Sequence, residues 1–95
     1  NLRMSFFIIS YDLKAPGRDY ASLYSEIKRF QEWQHPMESM WLIYTNETAN
    51  NIYNRIRPKM DDNDLLFVSE LATRHWQGWL PRTCWDWIER LENNV

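Results

Sequence analysis

A chain of 95 residues has the size of one ordinary domain, and its 44% hydrophobic and 16% aromatic residues, set against 2 glycines and 4 prolines, give it ample core and little linker. A formal net charge of -2 excludes any global attraction to nucleic acid or a basic membrane-binding face, so such contacts need a local basic patch or a metal. The lone Cys84 excludes an intramolecular disulfide, and the longest apolar run, Phe6 to Ile9, is too short to span a bilayer or act as a signal core.

A reducing, cytoplasmic setting with no membrane contact is therefore the expectation. Asn1-Leu2-Arg3 reads as a remnant ahead of a Met4-Ser5 start. Ser5 to Tyr11 is rich in aromatic and β-branched residues and runs into the turn-forming stretch Asp12 to Gly17, which predicts a strand and its loop. Phe7, Ile9 and Tyr11 share one face and Phe6 and Ile8 the other, so this strand is apolar on both faces and central. Asp19 suits a helix N-cap. Tyr20, Leu23, Tyr24, Ile27 and Phe30 then form a helical stripe, with Glu26, Lys28, Arg29 and Glu32 away from it, until His35-Pro36 breaks the pattern.

Met40 to Thr45 predicts a second two-faced strand, and Trp33 to Met37 its short antiparallel partner through a turn at Glu38-Ser39, although Pro36 removes a ladder donor. A second helix opens near Asn46 to Thr48 and carries Ala49, Ile52, Tyr53, Ile56 and Met60 on one face, with Pro58 denying it the hydrogen bond of its last turn. Asp61 to Asp64 reads as a solvated polar turn, and Leu65 to Val68 as a further strand reaching Leu71. The tail holds Trp76, Trp79, Trp85 and Trp87, and Pro81 suits the start of a final helix with Trp85, Ile88 and Leu91 at spacing three.

This order predicts an α+β fold, a ferredoxin-like βαββαβ sandwich over residues 4–71, with a Trp-rich helical tail over 72–95 packed on or beside it. Both helices of such a sandwich lie on one sheet face. The other face is also apolar here and needs a cover, either a second copy of the chain or the tail folded back. The homodimer is the preferred solution.

Most enzyme signatures are missing. Two glycines cannot make a phosphate loop. Neither His35 nor His75 has metal-ligand spacing, so both read as surface or rim residues, and Cys84 reads as a packed thiol. The tail tryptophans have the chemistry to stack on bases, but packing is the commoner reason for such spacing. Asp12 stands out, because it closes an apolar strand at the sheet rim, where a carboxylate is rigidly held yet open to water. It is a candidate ligand for Mg²⁺, against the plainer role of ordering its own loop through an Asx hydrogen bond. Lys14, Arg18, Lys28 and Arg29 are candidates for a modest basic rim nearby. Arg55, Arg57 and Lys59 suit a helix C-terminus.

Phe-Phe-Ile-Ile-Ser-Tyr-Asp-Leu at residues 6–13 resembles the opening strand of the small CRISPR-associated adaptation nucleases. Trp33 to Trp41 is similar to the virulence-associated protein D branch of that superfamily. Ser39, Trp41 and Ile43, with Asn63-Asp64 before the last strand, resemble short SinR-like bacterial proteins. The resemblance covers residues 4–71. It implies a homodimer with facing sheets and a divalent metal, Mg²⁺ or Mn²⁺, held between the Asp12 carboxylates of two copies to cleave RNA or DNA, with Lys14 and Arg18 loosely matching the family's basic cluster. Two departures are plain: the tail reads as a helix where the CRISPR members have a crossing strand, and the basic cluster is thin. The competing expectation is a non-catalytic dimeric scaffold or regulator that binds a protein partner through its Trp-rich tail.

Overall fold

A computed structural model describes residues 3–93, so the part of the proposed remnant formed by Asn1 and Leu2 lies outside the described residues. The elements run β1 (Ser5–Asp12), α1 (Ala21–Ile27), β2 (Glu32–Met37), β3 (Met40–Thr45), α2 (Ala49–Ile56), a 3-10 turn over Arg57–Lys59, β4 (Leu65–Glu70) and α3 (Arg82–Glu92). The four strands form one sheet in the order β2-β3-β1-β4, with every neighbouring pair antiparallel. The chain is thus a small α+β fold with a four-stranded antiparallel sheet and three helices. β1 is central, as its two apolar faces predict.

One face of the sheet carries Phe7, Ile9, Tyr11, Trp41 and Ile43. These close a core with Leu23 and Ile27 of α1 and Ile52 and Ile56 of α2. Thr48 starts α2, its side-chain oxygen accepting the Asn51 amide at 3.1 Å. Thr48→Ala should cost about 1 kcal/mol, seen as a lower denaturant midpoint at unchanged slope. Pro58 ends the helix in a 3-10 turn, since it cannot donate the next α-helical bond. α1 is shorter than its stripe predicts: Phe30 lies beyond the helix but is still buried. Tyr20 rather than Asp19 holds the N-cap position, while Asp19 sits one residue earlier with its Oδ1 accepting the Ala21 amide at 2.9 Å.

The other face is covered in part by the chain itself. Phe6, Leu42 and Tyr44 are covered by the chain's own tail, through Cys84, Trp87, Ile88 and Leu91 of α3. Phe6 meets Trp87 and Trp76 edge-on, with ring centroids 5.5 Å apart in both pairs. Glu32 of β2 fixes the helix laterally, accepting from Trp87 Nε1 at 3.0 Å and pairing with Arg90 at 3.1 Å. The Arg90 hydrogen bond, helped by Trp87 against the opposing effect of burial, holds the Glu32 carboxyl below its ordinary value. The tail is therefore a third layer of the fold, and the need for a cover does not by itself require a second copy.

α3 covers only part of that face. Alternation places Ser10 and Asp12 on the same side as Phe6, and the register sets Phe67 opposite Ser10 and Leu65 opposite Asp12. Phe67 is 66% exposed and Leu65 59%. The half of the face toward the end of β1 is open and apolar.

Candidate functional site

Asp12 ends β1, and its side chain is 61% exposed. Its charge partner is Lys14, whose Nζ lies 2.9 Å from Oδ2. An ion pair this exposed contributes roughly 0–1 kcal/mol to stability. The loop after β1 is organised by a different acid. Asp64 accepts the Lys14 amide at 2.6 Å, the Asp61 amide at 2.8 Å and the Tyr20 hydroxyl at 2.8 Å. The ordering of that loop, considered for Asp12, thus falls to Asp64, which reaches it from across the sheet's end.

The turn over 61–64 is exposed at Asp62 and Asn63, as read from sequence, but Asp64 departs from that reading, being buried at 5% exposure. Burial pushes its carboxyl up, but the Lys14 and Asp61 amides, the Tyr20 hydroxyl and the nearby Arg18 outweigh that and hold it below the ordinary value. Burial and the bond to Asp64 raise the Tyr20 hydroxyl in turn.

The second wall beside Asp12 is pinned by Tyr11. Its hydroxyl donates to the Glu38 carbonyl at 3.1 Å and accepts from Trp41 Nε1 at 2.8 Å, while its amide donates to the Ser39 carbonyl at 3.0 Å. Burial raises the Tyr11 hydroxyl. His35 lies flat on Trp41 with ring centroids 3.7 Å apart, and it is a rim residue as expected.

The predicted basic rim is partly engaged within the chain. Arg18 faces Asp61 at 3.6 Å and donates to the Lys59 carbonyl at 3.3 Å. Arg29 pairs with Glu26 at 3.4 Å. Glu26, placed away from the buried stripe by sequence, is itself buried and also holds Arg55 of α2 at 3.1 Å. Lys14 and Arg18 stand within the loop that follows Asp12, whereas Arg55 serves the α1–α2 packing and lies over the Phe30 ring at 3.9 Å. Cys84 is buried, and burial raises its thiol, in keeping with a packed role.

The donor set around Asp12 decides what one copy can hold. Among the described residues no group of three or more His, Cys, Asp or Glu side chains is placed to bind a metal. Asp12 offers one carboxylate, already faced by an ammonium, so one copy supplies half a site at most. Two copies would supply the one or two carboxylates that Mg²⁺ takes, with the remaining positions left to water and phosphate.

No protein-family model matches the chain, and no solved structure matches it. The resemblance to the adaptation nucleases and their relatives rests on the short motifs alone, and the structure gives most of those motif residues a folding role. Tyr11 and Trp41 are buried and bonded to each other, Ile43 is in the core, and Asp64 ties three segments together. Of the charged and aromatic residues Tyr11, Asp12, Trp41 and Asp64, only Asp12 leaves its side chain to solvent. Among the described residues no helix is long and apolar enough to cross a membrane.

Proposed function

We propose that this chain is a ferredoxin-like homodimer that cleaves RNA or DNA with a divalent cation, Mg²⁺ or Mn²⁺, shared by the Asp12 carboxylates of two copies. The observation that carries this reading is the contrast within the motifs: Asp12 is placed at the end of the central strand, yet among the described residues its carboxylate makes one exposed ion pair, with Lys14. The strand order and the two helices packed on one face support the ferredoxin-like assignment. The open apolar half-face beside Asp12 supports a dimer that brings the two carboxylates toward each other.

A divalent ion bound there supplies an activated water and charge neutralisation at the leaving oxygen. The chain's own residues position the rest. Asp64 holds the Lys14 amide, and so fixes the loop on which Lys14 and Arg18 stand. Lys14, half-exposed beside Asp12, can pair with a phosphodiester bound there, and that pairing would free the Asp12 carboxylate it neutralises.

Asp12→Asn tests this. Cleavage that depends on Mg²⁺ or Mn²⁺ should fall by orders of magnitude, while the melting temperature stays within the shift of an exposed ion pair. The substrates are single-stranded RNA, structured RNA and duplex DNA. A wild-type protein inert on all three contradicts the reading.

A second reading, a non-catalytic dimeric scaffold, is favoured by Trp79, which is 100% exposed in the segment before α3. Its form in which the tail helix recruits a partner is weakened, because Trp87, Ile88 and Leu91 are buried within this chain.

A further inference from the structure

Between α3, residues 76–80 and the sheet lies a cavity of about 190 Å³, walled by Ile8, Met40, Leu71, Trp76 and Trp85 and by the half-exposed Met37 at its mouth. Gly78 and Leu80 also line it, and Trp79, between them in the chain, points wholly into solvent. A fully exposed tryptophan beside an apolar cavity is an unusual pairing, because an indole carries more apolar surface than almost any other side chain. The hole and the knob match in size: an apolar cavity of roughly 150 Å³ takes a benzene, and the next ring makes an indole.

We propose that two copies of the chain lock together by reciprocal exchange, the Trp79 indole of each filling the cavity of the other. Three features favour a second copy as the occupant. The knob stands at the rim of its own hole, so one two-fold axis passing near that rim satisfies both insertions at once, as a self-complementary interface requires. The cavity wall at Met40 continues into the open half-face that carries Phe67 and Leu65, since Met40 pairs with Ser10 and Ser10 with Phe67. The area suffices: Trp79, Phe67, Leu65 and Met37 together bring on the order of 500 Å² per copy, so two copies reach the roughly 1,000 Å² of a specific interface.

The inference rests on the homodimer of the preceding reading but not on its metal or its chemistry. Sedimentation equilibrium of the full chain, wild type against Trp79→Ala, tests it. The wild type should sediment at twice 11.7 kDa at micromolar concentration. Trp79→Ala should weaken the dimer about a hundredfold or more, because two indoles are withdrawn at roughly tenfold or more each. The monomer's melting temperature should not move, since Trp79 is 100% exposed. Free indole should dissociate the wild-type dimer in competition and bind the Trp79→Ala monomer.

A monomeric wild type overturns the proposal, including one that binds free indole, which would make the cavity a small-molecule site. A dimer unaffected by Trp79→Ala overturns it as well, placing the interface elsewhere. A Trp79-dependent dimer that cleaves nothing leaves this lock standing and removes the nuclease reading.

Discussion

Truncation before Pro81 is expected to abolish cooperative folding rather than trim a mobile appendage. The deletion removes Trp87, Ile88 and Leu91, each at 5–6% exposure, and opens Phe6, Leu42 and Tyr44 to water on the sheet side. At about 1.5–3 kcal/mol for each large side chain, the helix's own three residues account for roughly 5–9 kcal/mol. A domain of this size has only about 5–15 kcal/mol in total. Trp87→Ala is the milder form, expected to cost about 3–5 kcal/mol through the cavity it leaves and the lost bond to Glu32. Thermal unfolding followed by circular dichroism reads both. A truncated chain that melts within a few degrees of the full one would show that α3 does not complete the fold.

Asp64→Ala should be about as severe as Trp87→Ala. It strands the Lys14 and Asp61 amides and the Tyr20 hydroxyl, all bonded to one carboxylate in a buried position. Losing that acceptor should cost on the order of 3 kcal/mol or more. Asp64→Asn keeps one oxygen and should cost less.

The pH dependence has a definite sign. The carboxyl titrates below its ordinary value of 3.8 in the folded state, so it binds its proton less readily than in the unfolded chain. Its contribution is complete above the unfolded value and is lost as pH falls through the folded one. The stability gap between wild type and Asp64→Ala should therefore be full at neutral pH and close in acid. A gap that stays constant down to about pH 2 would mean that charge is not what Asp64 contributes.

The strands were legible because they rest on local composition. Even β2 forms as the Trp33 to Met37 pattern predicts, starting one residue earlier, with Pro36 tolerated on an edge strand where the register slips between Gln34 and Met37. What sequence reading missed depends on partners far along the chain. Glu26 sits at a stripe position between Leu23 and Ile27, but a buried carboxylate becomes credible only once Arg55 arrives from α2. Asp64 looks like any turn acid until Tyr20 and Lys14, 44 and 50 residues away, close over it.

The cover of the second face was readable in part. Cys84, Trp87, Ile88 and Leu91 follow the helical spacing of three, four and seven more closely than Trp85, Ile88 and Leu91 do, and they are the residues buried on the sheet. Asp12 was legible as a candidate, since a carboxylate ending an apolar strand has no evident folding duty, and none emerges beyond the Lys14 pair.

Whether two copies bring their Asp12 carboxylates to one divalent ion is read directly from a crystal structure of the protein grown with Mn²⁺. The proposed dimer should hold a single ion between the two chains, bonded to an Asp12 oxygen from each at about 2.0–2.2 Å. Asp12 side chains that face solvent on opposite ends of the dimer, or remain paired with Lys14 without an ion between them, would contradict it.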